Sequence, residues 1–255
     1  MLQQTQAARV VPAFERFLSA FPTVEHLAAA GREEVVRAWG GLGYNRRAVA
    51  LSEAARAIVR DHGGRVPRDP VALRTLPGVG PYTAAAVASL AFGRGVPAID
   101  TNVRRIVSRV HLGVEPAAAP SSRIEELAGE WVDRSEPAAW NQALMDLGRD
   151  VCRPRPRCAV CPLAPGCRFS SDGSPAATRP PRQSPFEGSS RQLRGAVVRL
   201  LRLRSPATFG AIVDGTGFEV ARVLDAVRDL HREGLLVGGE AALAGRRRGR
   251  VRLAP

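Results

Sequence analysis

Apolar residues recur at three- and four-residue spacing along most of the chain, a period that marks successive amphipathic helices. Val10, Val11, Phe14, Phe17, Leu18 and Phe21 form the first such face; Pro22 stops that helix, Thr23 caps the next, and Leu27, Val35, Val36 and Trp39 continue the pattern. Gly40-Gly41-Leu42-Gly43-Tyr44 breaks the period before Asn45-Arg46-Arg47 opens a helix carrying Leu51, Ala54, Ala55 and Ile58. A second glycine turn, Leu76-Pro77-Gly78-Val79-Gly80, leads through Pro81 into an alanine-rich helix ending at Phe92, whose small side chains predict burial. Residues 93–97 end that helix. Asp100 then stands at the N-cap position of a helix containing Val103, Ile106, Val107 and Val110. After a Pro/Ala loop at 113–122, helices are expected over Ile124 to Trp131 and Trp140 to Val151, with Asp146 and Asp150 on a solvated face.

Towards the C-terminus the pattern changes. Residues 170–190, rich in Ser, Pro and Gly, read as a linker. Beyond it, Leu193, Val197, Leu200 and Leu201 form one helical face, Phe209 to Val213 a short helix, and Val220, Val223, Leu224, Val227 and Leu230 a third, closed by Gly234. Leu235-Leu236-Val237 and Arg250-Val251-Arg252-Leu253 then predict a two-stranded ribbon. The expected architecture is an all-α domain over residues 1–169, a linker at 170–190, and a small winged-helix-like α+β domain over 191–255. Winged helices bind nucleic acids and proteins alike, and the pattern does not choose between the two.

Composition narrows the setting. Net charge is +13 and all 37 basic residues are arginine, which points to a polyanionic partner, most simply nucleic acid. No apolar run is long enough to span a membrane and the first residues form no signal peptide, so a cytoplasmic location without membrane contact is expected. Cys152, Cys158, Cys161 and Cys167, the only cysteines, fall within sixteen residues as C-x5-C-x2-C-x5-C. In a reducing compartment that cluster reads as a metal site, and four thiolates suit tetrahedral zinc or a cubane iron–sulfur cluster equally. Arginines 153, 155, 157 and 168 would help offset thiolate charge.

The glycine turns suggest contacts with a nucleic-acid backbone. Gly78 and Gly80 remove side-chain bulk just where helix-terminal N–H groups point outward, a geometry suited to phosphate, although an ordinary helix–turn–helix corner has the same sequence. Gly-Gly-Leu-Gly-Tyr is either a plain flexible connection or a loop whose Leu42 and Tyr44 meet bases while Arg46 and Arg47 meet phosphate. Capping alone would explain Asp100.

Taken together, Met-Leu-Gln-Gln-Thr-Gln at 1–6, Phe-Pro-Thr-Val at 21–24, Gly-Leu-Gly-Tyr at 41–44, Leu-Pro-Gly-Val-Gly-Pro-Tyr-Thr-Ala at 76–84, Ile-Asp-Thr-Asn-Val-Arg-Arg at 99–105, Asn-Gln-Ala-Leu-Met-Asp-Leu-Gly at 141–148 and the four cysteines resemble the helix-hairpin-helix DNA glycosylases with an iron–sulfur cluster. The motifs cover about two thirds of the chain. Within that superfamily the chain is similar to the adenine DNA glycosylases of MutY type, which remove adenine mispaired with guanine or 8-oxoguanine. The resemblance implies a bacterial, nucleoid-associated monomer acting on double-stranded DNA with a mispaired or oxidised base. It implies a [4Fe-4S] cluster on Cys152, Cys158, Cys161 and Cys167, with zinc the alternative. It also implies DNA contacts from Gln3, Gln4, Thr5, Leu42, Tyr44, Arg46, Gly78, Gly80 and Asn102, with Gln4 and Leu42 filling or wedging the gap left by a base drawn from the stack.

Cleaving an N-glycosidic bond leaves positive charge on the sugar and negative charge on the base, so a carboxyl must protonate the base while a carboxylate faces the sugar. The resemblance assigns the carboxylate to Asp100. The family's acid is a glutamate two residues before the methionine of Met-Leu-Gln-Gln-Thr-Gln; here that methionine is Met1, so a start assigned downstream of the true one is expected, and the chain from Met1 is expected to bind but scarcely to cut. Tyr82 occupies the hairpin position where strand-cutting branches carry a Schiff-base lysine. With no lysine in the chain, base removal without strand cleavage is expected. Tyr82 also suits a thymine glycosylase acting on T:G mispairs, and a non-catalytic DNA-binding protein is the further alternative. Two other departures stand out: the first cysteine gap is five residues where the family usually has six, and the C-terminal residues are too few and too helical for a Nudix-like domain.

Overall fold

The computed structural model describes residues 1–2, 5–171 and 185–255; Gln3, Gln4 and most of the expected linker lie outside these. Helices dominate: α1 (Ala7–Ala20), α2 (Val24–Ala29), α3 (Arg32–Ala38), α4 (Arg46–His62), α5 (Pro70–Arg74), α6 (Pro81–Phe92), α7 (Thr101–Val107), α8 (Ser121–Trp131), α9 (Pro137–Asp150), α10 (Arg168–Ser171), α11 (Ser190–Leu203), α12 (Phe209–Thr216), α13 (Val220–Arg232) and α14 (Glu240–Leu243). The local signals act as read. Thr23 accepts a hydrogen bond from the N–H of His26 at the start of α2, and Gly63 and Gly93 end α4 and α6 in the left-handed conformation. Among the described residues no helix is long and apolar enough to cross a membrane.

The chain divides into two compact units, one of Met1–Arg65 with Gln183–Pro255 and the other of Val66–Arg182. In the first, α1–α4 share one hydrophobic core with the C-terminal helices. Phe17, Val35 and Trp39 belong to the same buried cluster as Leu193, Leu201, Val223 and Leu230. Each such side chain contributes roughly 1.5–3 kcal/mol by leaving water. Polar ties follow the same seam: Arg32 donates to the carbonyl of Gly234 at 2.9 Å, and Arg37 and Arg202 each donate to the other's carbonyl.

The C-terminal part has the helix and strand order of a winged helix, with a larger sheet than the sequence suggested. Strands β1 (Ala207–Thr208), β2 (Leu236–Gly238) and β3 (Arg250–Leu253) form an antiparallel sheet in the order β1-β3-β2. β1 escapes a periodicity reading because two residues show no alternation; it is fixed by pairing Ala207 with Val251 and Thr208 with Arg250.

In the second unit, Val103, Ile106 and Val107 of α7 pack with Ile124 and Ala128 of α8 and Leu144 of α9. The predicted burial of α6 holds for one face only: Ala84, Ala88 and Ser89 are buried, whereas Tyr82 and Leu90 are exposed. Small side chains permit close packing on every side, but neighbours occupy only one.

Candidate functional site

The hairpin is built by α5 and α6. Gly78, at φ 75°, adopts a left-handed turn that a side chain would strain, and Gly80 is the N-cap residue of α6 in ordinary extended backbone. Both are exposed, and a Cβ on Gly80 would meet nothing within 4 Å. No side chain caps α6, so the positive end of its dipole faces open space. That arrangement can receive an anion.

Asp100 caps α7. Its Oδ1 accepts from the backbone N–H groups of Asn102 (2.8 Å) and Val103 (2.7 Å), and its Oδ2 from Nδ2 of Asn102 (3.2 Å). The amide of Asn102 is oriented in turn, because its Oδ1 accepts from Arg105 Nη2 at 2.7 Å. Arg105 also donates to the carbonyls of Gly148 (2.8 Å) and Cys152 (2.6 Å) at the C-terminal end of α9. Gly148 is what lets α7 and α9 approach, since a Cβ there would lie 2.5 Å from Cβ of Asn102. The segment leading to Asp100 is stapled by Asn141 of α9, fully buried, which accepts from the N–H of Ala98 (2.6 Å) and donates to Ser89 Oγ and the carbonyls of Val96 and Pro137. Burial raises the pKa of the Tyr82 phenol, and the negative charge of Asp100 raises it further. Asp100 is thus a fixed carboxylate beside the oriented amide of Asn102, and its charge acts on the Tyr82 phenol, whose hydroxyl lies 3.9 Å from Met145 Sδ.

The remaining predicted contacts on described residues lie in the other unit. Tyr44 is exposed at φ 46°, at the end of a loop in which Gly40, Gly41 and Gly43 also have positive φ. Leu42, by contrast, is buried among the core residues and presents no side chain to solvent, and Arg46 is exposed. Arg47 points inward. It donates to the Met1 carbonyl (2.9 Å), Thr5 Oγ1 (3.0 Å) and the Gly43 carbonyl (3.3 Å), with its guanidinium 5.4 Å from the Trp39 ring and 5.6 Å from that of Tyr44. It thus ties the N-terminal segment to the glycine loop.

All four cysteines are free thiols and line one cavity with Ile106, Leu147 and Phe169. Arg109, fully buried, forms its polar wall: it donates to Cys152 Sγ at 3.5 Å, to the carbonyls of Arg153 (2.7 Å) and Pro154 (3.0 Å), and to Glu115 (2.7 Å), and lies 4.6 Å over the Phe169 ring. Burial pushes the Cys152 thiol up, against the pull of the Arg109 and Arg105 cations. The donor chemistry fits a thiolate-bound group. The spacing of the sulfurs is open, however: among the described residues no three His, Cys, Asp or Glu side chains converge as a ligand set.

Comparison with known proteins decides the family. Residues 1–134 match the HhH-GPD superfamily of base excision DNA repair proteins. The chain belongs to that superfamily. Among curated members it is 42% identical over 241 residues to the adenine DNA glycosylase of Mycolicibacterium smegmatis, covering 94% of this chain and 80% of that protein. It is 44% identical over 172 residues to the human adenine DNA glycosylase, covering 66% of this chain and 32% of that one. Among solved structures it is similar to a thermostable thymine-DNA glycosylase (TM-score 0.62, 32% identity, 67% of this chain and 80% of that one). It is also similar to endonuclease III in a non-covalent DNA complex (TM-score 0.57, 27% identity, 66% and 79%). This HhH-GPD member is a predominantly α-helical DNA glycosylase, a hydrolase of N-glycosidic bonds. Asn141, Arg105 and Gly148 lie in the motifs quoted above but were given no role there; Asn141 fixes the segment before Asp100, and Arg105 and Gly148 position Asn102 beside it.

Proposed function

We propose that this glycosylase removes adenine mispaired with guanine or 8-oxoguanine, by hydrolysis and without strand cleavage. The observation that carries the reading is Asp100, a carboxylate held by two backbone N–H groups and an oriented amide, in the same unit as the hairpin's uncapped helix terminus. It is supported by the identity to an adenine glycosylase over nearly the whole chain. A carboxylate so fixed faces the positive charge that develops on the sugar, with no reorganisation as the bond breaks. Duplex DNA is held at the exposed hairpin glycines Gly78 and Gly80. With no lysine in the chain and Tyr82 kept neutral, no side-chain amine is present to form a Schiff base.

Cys152, Cys158, Cys161 and Cys167 would hold a [4Fe-4S] cluster, with the shared cavity and the Arg109 cation supporting that reading. When bound, such a group cross-links the loop and supplies folding free energy. Anaerobically purified protein should carry iron and acid-labile sulfide; stoichiometric zinc with neither overturns the cluster.

Base release is measured on A:8-oxoguanine, A:G and T:G duplexes, with the chain from Met1 and with the chain extended in frame upstream. Adenine release without borohydride-trappable adduct is expected from at least one of them. Asp100→Asn should lower that rate about a hundredfold or more while stability stays within about 1 kcal/mol, because Asn caps a helix as well as Asp does. Release of thymine alone, the activity named for the solved thermostable relative, overturns the adenine reading.

A further inference from the structure

In a winged helix, either the third helix or the wing can meet DNA, and the two carry opposite signals here. On α13 the exposed arginines are interleaved with Asp225 and Asp229. They are also engaged: Arg222 donates to the Gly188 carbonyl at 2.6 Å, Arg228 to the Leu243 carbonyl at 2.9 Å, and Arg232 pairs with Asp229 at 3.2 Å. The wing differs. Residues 244–253 contain five arginines and no acidic residue. Arg247 is neutralised by a two-pronged contact with Asp214. Arg246, Arg248, Arg250 and Arg252 are exposed and make no ion pair among the described residues.

The ribbon that carries these four cations is rigid. Backbone bonds run from the N–H of Phe209 to the Gly249 carbonyl (2.7 Å), from Gly210 to Arg247 (2.9 Å), from Arg246 to Ala241 (2.8 Å) and from Gly239 to Arg250 (3.1 Å). Gly249 is buried, and a Cβ there would collide with the backbone of Ala242, so the end of the turn lies flush on α14. Arg250 and Arg252 project from the same outer face of the central strand β3. Alternate residues of a strand are roughly 6.8 Å apart, about the axial rise of two phosphates along one DNA strand.

We propose that the wing is a second DNA-binding surface, in which Arg246, Arg248, Arg250 and Arg252 grip the phosphate backbone of undamaged duplex, independently of sequence and of the mispair. An arginine fork can also read guanine, but four cations presented along one ribbon, with no Asn, Gln, Ser or Thr among residues 244–253, match a row of phosphates. Acidic residues on α13 would repel a duplex laid along that helix, which leaves the wing as the contact. The grip holds the enzyme on DNA between mispairs and goes beyond adenine removal, on which it does not depend.

The test is the salt dependence of binding by the full chain to an undamaged 20-base-pair duplex. Each phosphate contact contributes a slope of about 0.9 in log K against log salt. Replacing Arg246, Arg248, Arg250 and Arg252 together by Gln should lower the slope by about 2–4 and weaken binding more than tenfold at low salt; replacing them by Lys should restore most of both. Since these side chains make no hydrogen bond or ion pair among the described residues, the thermal midpoint should hardly move. Should the Gln variant fail to fold, amide protection of residues 244–252 on adding duplex to the unaltered chain decides the matter. Unchanged slope and affinity, or absent protection, overturn the proposal, and capture of an acidic protein by the wing with no change in DNA binding would assign it to a protein partner instead.

Discussion

In the unit around Asp100, Arg105 and Arg109 point inward and direct their donors to backbone carbonyls, an amide, a thiol and one glutamate. In the wing, Arg246, Arg248, Arg250 and Arg252 stand in solvent with no acidic partner among the described residues. The same residue is an internal strut in one region and a surface charge in the other. A net charge of +13 therefore overstates the DNA-facing surface: arginines committed to internal carbonyls are screened by the groups they serve, and the binding footprint comes from those left free. If this distinction is sound, substitutions should separate cleanly by unit.

The largest effect belongs to Arg109. Its side chain is 1% exposed and that of Glu115, its ion-pair partner, is 16% exposed. Arg109→Met fills the space but leaves Glu115 without its cation and removes donors to two carbonyls, a loss of about 3–5 kcal/mol. Urea unfolding measures it. A cost below about 1 kcal/mol would mean that Arg109 is no strut, and the comparison would collapse at its strongest point.

Much of this region was legible in the sequence and some of it was not. Asp100 was readable as a helix cap because an acidic residue stands just before the apolar period at Val103, Ile106 and Val107. Gly78 was readable as a tight turn because Pro77 and Pro81 bracket it. The inward arginines were not legible: Val103, Ile106, Val107 and Val110 fall at i, i+3, i+4 and i+7, one apolar face, and positions 105 and 109 lie opposite it, where a helix ordinarily meets solvent. Leu42 misleads in the same way. In a glycine-rich loop it looked free to meet bases, yet the left-handed turns on either side aim it into the core. Arg47 likewise sits next to exposed Arg46, and only the fold decides that one points in and the other out. Residues far apart in the chain that meet only in the fold, such as Asn141 with Val96 and Ala98, leave no local period to read.

A smaller effect is expected at Arg105, which bridges Asn102 and the end of α9. Arg105→Met removes charge-assisted bonds to the Gly148 and Cys152 carbonyls, costing about 1–3 kcal/mol. It also frees the Asn102 amide to rotate away from Asp100. The base-release rate should fall while affinity for undamaged duplex, set elsewhere, stays within about twofold. Equal losses in both would show that Arg105 itself meets DNA, and would blur the line between struts and surface charges.

The smallest effect sharpens the boundary from the wing's side. Arg247 and Asp214 make two contacts of 2.6 and 2.7 Å, as short as the 2.7 Å between Arg109 and Glu115, but their side chains are 59% and 65% exposed. Distance alone would rank this pair with Arg109–Glu115. Exposure argues otherwise: water screens both ions, and holding two long side chains in register offsets much of the attraction, so the pair should contribute no more than about 1 kcal/mol. A double-mutant cycle with Arg247→Gln and Asp214→Asn gives the coupling directly. At about 1 M salt, where the screening length falls to about 3 Å, it should nearly vanish, whereas the loss caused by Arg109→Met should persist. Coupling above about 2 kcal/mol that survives salt would place Arg247 among the struts, and burial would no longer be what separates the two uses of arginine in this molecule.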